Sequence, residues 1–143
     1  MNRILLNLLI SFWKIILLFP RFVHKKLGFS LGYLFYKSNM KRNRFSKANI
    51  DLCFSNLSPV ERTNIFKSNI LMSGSILFDT GIAWFWSDKK INNNINYEIS
   101  GLDQLIEEQN NKNGVLLFFK HSLHLELDAR LLGMNADIYG VER

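Results

Sequence analysis

Residues 115–133 read VLLFFKHSLHLELDARLLG. The five apolar residues 115–119 suit a strand buried on both faces. Residues 123–132 suit a helix. Upstream, residues 97–100 (YEIS) read as a strand, 101–109 as a short helix and NNKNG as a turn. Residues 136–141 read as another strand. The last third therefore has a β-α-β-α-β rhythm, which predicts a parallel sheet. Active sites in such sheets form beyond the carboxyl ends of strands. His121 stands two residues past VLLFF, at that end.

His121, His124, Glu126, Asp128 and Arg130 fall within ten residues. Three readings compete. If His121 and Glu126 were both in mid-helix, five positions would set them about 140° apart, and they would not meet. With His121 in the loop entering the helix, its ring can fold over the first turn, towards which Glu126 leans. A carboxylate on one imidazole nitrogen then fixes the tautomer, and the other nitrogen can take a proton from a hydroxyl. A metal reading uses His121, His124 and Asp128, at i, i+3 and i+7 on one helical face. The third reading is an ordinary polar face, with His124 exposed and Glu126 paired to Arg130 four residues on. Spacing alone leaves the three level.

The 143 residues are enough for one modest domain with its own core. A hydrophobic content of 48% excludes a disordered chain. The single cysteine, Cys53, excludes an internal disulfide framework and reads as a small core residue. The net charge of +6 conceals an asymmetry: residues 1–50 carry ten Lys or Arg and no acid, and the remainder is net −4. A basic half points to a polyanion, either nucleic acid or an anionic membrane surface. No nucleic-acid recognition motif accompanies the charge. The adjacent run at residues 4–19, ILLNLLISFWKIILLF, favours the membrane. Its polar members Asn7, Ser11 and Lys14, with Arg3, form one narrow helical stripe. A spanning helix whose stripe packs on protein and a helix lying in the interface both satisfy it. A buried core helix is the plain alternative. The basic residues that follow mark their side as cytoplasmic.

Residues 20–37 read as a second amphipathic helix with Pro20 in its first turn. Residues 45–54 read as a third. SPVE places Ser58 as N-cap with Glu61 three residues on, a capping box, and the helix is expected to run on to AWFW. Three regions are expected: membrane-associated helices at 1–37, a helical segment at 38–94, and the start of an α/β domain at 95–143.

Several stretches resemble the lipid A biosynthesis acyltransferases, members of the wider glycerolipid-type acyltransferases with a His, four residues, then Asp or Glu. Here that motif is His121-Ser-Leu-His-Leu-Glu126. KANIDLCFSNLSPVER at 47–62, DTGIAWFW at 79–86 and GVER at 140–143 resemble other family stretches. Ser55, Asn56 and Glu142 depart from the family pattern.

The resemblance implies an α/β acyltransferase-type sheet domain of which this chain holds the first half, as a C-terminally truncated member. It implies transfer of an acyl chain from acyl carrier protein to a hydroxyl of a lipid A precursor, at the cytoplasmic face of the inner membrane. His121 would be the general base and Glu126 its orienting partner, with Arg143 and Arg130 as substrate-binding candidates and with no metal, cofactor or nucleic acid. The rivals are a non-catalytic membrane-associated fragment of such an enzyme and a metal-binding protein.

Overall fold

Pro20 has no N–H to give and disfavours helix in the residue before it, so the apolar run at the amino end breaks there. Helix α1 (Arg3–Ile16) ends in a turn, and α2 (Arg21–Lys37) starts afresh. Among the described residues six further helices follow: α3 (Lys41–Cys53), α4 (Pro59–Ser73), α5 (Ile76–Phe85), α6 (Asp88–Asn94), α7 (Leu102–Asn110) and α8 (Leu125–Gly133). The computed structural model describes residues 3–38 and 40–140.

The chain forms two compact units, one running to Phe78 and the other from Asp79, so the division falls within α5. In the first unit, α4 packs on α2 and α3. Its start is fixed by a complete capping box: the Ser58 hydroxyl accepts from Glu61 N–H at 3.3 Å, and Glu61 Oε2 accepts from Ser58 N–H at 2.8 Å. Arg62 then ties the α3–α4 connection, donating to Asp51 Oδ1 at 3.1 Å and to the Leu57 carbonyl at 2.7 Å.

The α2–α4 crossing depends on small residues. Gly28 and Gly32 are buried on one face of α2, and a Cβ at Gly32 would run into the Leu71 backbone. A Cβ at Gly74, which ends α4, would run into the Gly28 carbonyl. The backbones touch because no side chain stands between them, as in close small-residue helix crossings. Behind the crossing, His24 is buried, its Nε2 3.0 Å from the Ile16 carbonyl and its ring stacked on Phe78. α4 stops at Gly74, and α5 begins at Ile76, so the single long helix expected after Ser58 is two.

In the second unit Ile82, Ala83, Trp86, Ile91, Leu127 and Leu131 are buried. Lys90 sits 4.2 Å from the centre of the Trp86 ring, a cation–π contact. Ser87 caps α6, its hydroxyl accepting from Lys90 N–H at 3.3 Å, so a further helix follows AWFW.

Three expectations are corrected. The α/β fold class is not observed: there is no strand among the described residues, and the order of elements is all-helical. An apolar segment becomes a strand by exchanging backbone hydrogen bonds with a neighbour. No backbone hydrogen bond among the described residues joins 97–100, 115–119 and 136–140. VLLFF is consequently exposed, with Phe118 at 89% and Leu116 at 78% of full exposure. The spanning form of the amino-terminal helix is also not observed: no helix among the described residues is long and apolar enough to cross a membrane. At 14 residues, α1 is about 21 Å long against a hydrocarbon core of about 30 Å. Cys53 is exposed, at the end of α3, and is not a core residue.

Candidate active site

Helix α8 begins one residue after His124, which is its N-cap residue. Its entry is latched by short polar side chains. The Ser122 hydroxyl donates to Asp128 Oδ2 at 3.1 Å and accepts from His124 N–H at 3.3 Å. Glu126 and Asp128 sit in the first turn, where the helix dipole favours negative charge.

His121 lies three residues before the cap, exposed and outside any helix. Glu126 is exposed in the first turn. The loop-then-helix placement expected of the pair is therefore present, without the preceding strand. No hydrogen bond joins the two side chains among the described residues. Glu126 instead accepts from the indole N–H of Trp84 on α5, at 3.2 Å to Oε2. Its other oxygen is turned to no donor among the described residues.

His124 has the more deeply set partner. Its Nδ1 is 2.7 Å from Oδ2 of Asp79, also on α5, and Asp79 is 1% exposed. A carboxylate can only accept, so Nδ1 carries a proton, which in the neutral tautomer leaves Nε2 as an acceptor. The His124 side chain keeps 38% of its exposure, so the ring bridges a buried acid and the surface. Burying a carboxylate is costly without a donor close by, and His124 supplies one.

Arg130 forms an ion pair through Nη2 with Asp88 Oδ1. It does not pair with Glu126 four residues back, as the ordinary-polar-face reading expected. Arg143 lies outside the described residues. The metal reading required His121, His124 and Asp128 on one helical face, but α8 starts after both histidines. No group of three His, Cys, Asp or Glu that could hold a metal occurs among the described residues.

Sequence reasoning missed Asp79 and the partner of His124. DTGIAWFW drew notice only as a stretch that resembles the family. The signal available was Asp79 itself, the only acid between Glu61 and Asp88 and set in an apolar helical run. An acid in such a run implies a donor from elsewhere in the fold.

The family model for bacterial lipid A biosynthesis acyltransferases matches residues 1–142. A lipid A biosynthesis acyltransferase of Haemophilus influenzae is 35% identical over 136 residues, covering 94% of this chain and 42% of that protein. A lipid A biosynthesis lauroyltransferase of Escherichia coli K12 is 36% identical over 131 residues, covering 92% of this chain and 42% of its own length. A palmitoleoyltransferase of the same pathway in that organism is 32% identical over 108 residues, 76% of this chain and 35% of the relative. The chain thus spans about two fifths of the length of the first two relatives. No solved structure gives a significant match. A match along nearly the whole chain, with relatives above 30% identity, makes the protein a member of the bacterial lipid A biosynthesis acyltransferase family.

Proposed function

We propose that this protein carries the general-base half of an acyltransferase site, moving a fatty acyl chain from acyl carrier protein to a hydroxyl of a lipid A precursor of the Kdo-lipid IVA type. The observation that carries the reading is the family match together with the local geometry of the motif: His121 in an exposed loop, and Glu126 five residues on in the first turn of α8.

In this mechanism His121 accepts the proton of the acceptor hydroxyl as its oxygen attacks the thioester carbonyl. Glu126 orients the ring and stabilises the imidazolium. Collapse of the tetrahedral intermediate breaks the C–S bond. The leaving thiolate takes the proton from His121, so the products are an ester and a thiol, with His121 restored. His121 and Glu126 come together only with substrate bound, which is usual for catalytic hydrogen bonds that tighten in the Michaelis complex. Trp84 engages only Oε2 of Glu126, which leaves Oε1 for the imidazole.

Arg130 and Arg143 are the proposed phosphate-binding groups. Arg130 uses one Nη2 on Asp88 and has four other N–H bonds in its planar fork. The proposed location is the cytoplasmic face of the inner membrane, with α1 in the interface. Ile4, Leu8, Phe12 and Ile15 are exposed on α1, beside a basic half that anionic lipid attracts.

The test is transfer of a labelled lauroyl group from acyl carrier protein to a purified lipid A precursor. It is run with the 143-residue chain and with a chimera that continues it with the remaining part of the H. influenzae relative. Positioning is worth roughly 7–11 kcal/mol in such reactions, and the dyad alone about 10²–10⁴-fold. The chimera should therefore turn over far faster than the short chain. His121→Ala should abolish transfer, and Glu126→Ala should lower it about 10²-fold or more. Full activity in His121→Ala would remove the mechanism.

A further inference from the structure

Helix α5 reaches the motif twice: Asp79 Oδ2 to His124 Nδ1 at 2.7 Å, and Trp84 Nε1 to Glu126 Oε2 at 3.2 Å. We propose that Asp79 is a positioning residue for acyl transfer, acting through His124 to hold the α8 entry loop, so that His121 stands at the right height over Glu126. This rests on the dyad reading above.

Three features of the arrangement support the assignment. First, His124 is the hinge of the loop. It is the N-cap residue of α8, its own N–H is bonded to Ser122, and its carbonyl accepts from Asp128 N–H at 2.8 Å. Fixing its side chain therefore fixes the cap, and with it the path of the three residues back to His121. Second, the anchor is rigid. Asp79 is 1% exposed in the first turn of α5, in a stretch that holds the buried residues Phe78, Ile82 and Ala83. A hydrogen bond to a fixed, buried carboxylate defines ring orientation far better than one to a mobile surface acid. Third, the same helix orients the other half of the dyad through Trp84. Asp79 and Trp84 lie five residues apart on α5, and their partners His124 and Glu126 are the cap and the second residue of α8, so one element holds both the loop that carries the base and its carboxylate. His124 then needs only an N–H aimed at Asp79. Its Nε2 has no part in the chemistry.

That last point makes the idea testable, because asparagine can donate from its side-chain amide much as Nδ1 does but cannot act as a base. The chimera is assayed with His124→Asn, His124→Leu and Asp79→Asn. In parallel, the ring nitrogens of His124 are followed by ¹⁵N NMR in the detergent-solubilised 143-residue chain, with and without Asp79→Asn. His124→Leu should lower kcat about 10²-fold, the scale of a loss for a displacement of order 1 Å at a reacting group. Its effect on KM should be small. His124→Asn should recover most of that loss. The NMR should report an Nδ1–H tautomer in the parent chain, and Asp79→Asn should change the tautomer balance.

Loss of activity in His124→Asn equal to that in His124→Leu, with helicity unchanged, would overturn the assignment, because His124 would then be acting through Nε2. An Nε2–H tautomer in the parent chain would also overturn it. The tautomer readout does not depend on turnover. An inactive chimera together with an Nδ1–H signal lost in Asp79→Asn would thus fault the acyl-transfer reading while leaving the Asp79–His124 anchor standing.

Discussion

Ser58 and Glu61 show how much one spacing can determine. The hydroxyl satisfies an N–H that the first turn of α4 leaves without a helical partner, and the carboxylate returns the favour to the cap. Ser58→Ala should cost about 1 kcal/mol of stability. The Ser58 hydrogen bonds hold the Glu61 carboxyl below its ordinary value of 4.5, and the Lys47 hydrogen bond, with the charges of Lys47 and Arg62, holds Asp51 below 3.8. Both acids bind protons more weakly folded than unfolded. Their contribution is therefore complete above about pH 4.5 and is lost as pH falls through the depressed values. Thermal midpoints from pH 7 to 3 should decline at the acid end. Glu61→Gln keeps an acceptor for Ser58 N–H but no longer titrates, so its acid decline should be shallower. Equal declines in the two proteins would refute the link. The box was readable because both partners lie within four residues of each other. Asp79 and His124 are 45 positions apart, and only the packing of α5 beside the start of α8 brings them together.

Elements were legible where their signals are local. Caps, Pro20 and apolar periodicity located α2, α7 and α8 to within a few residues, and of α4 they located the start but not the end. Strands were not, because an apolar run such as VLLFF records burial to come and not the pairing that makes a strand. The small-residue face of α2 also went unread, although Gly28 and Gly32 are four apart in plain view. Its test is Gly32→Ala. In an isolated helix this change gains about 1 kcal/mol of propensity. Here the added Cβ meets the Leu71 backbone, which cannot swing aside as a side chain can. Overpacking of this kind costs about 1–3 kcal/mol, so the net effect should be a lower thermal midpoint. Gly133→Ala is the control. Its Cβ would stand 3.7 Å from Ile138, an ordinary contact, so the midpoint should hold or rise. A midpoint that rises in both variants would mean that the α2–α4 crossing is not as close as described.

On the scale of the whole molecule, charge and apolar surface coincide at one end of the sequence. Positions 1–50 hold ten basic residues and no Asp or Glu, and no residue of α1 is buried. These two features predict different responses to salt. Attraction of Lys and Arg to anionic lipid is worth about 1 kcal/mol per residue near the surface and fades beyond a Debye length of about 10 Å at 0.1 M. Transfer of apolar side chains into the interface, at about 25 cal/mol per Å², is not weakened by salt. Binding to vesicles with anionic lipid should therefore exceed binding to neutral ones at low salt. Raising salt to about 1 M, where the Debye length is about 3 Å, should bring the two together without abolishing either. Leu8→Asp with Phe12→Asp places two charges on the exposed face of α1 without touching a buried residue. It should remove the salt-resistant part and leave the salt-sensitive part reduced but present. Complete release of the parent protein from anionic vesicles by salt alone would show that charge does all the holding. The apolar face of α1 would then need a protein partner instead of a lipid one.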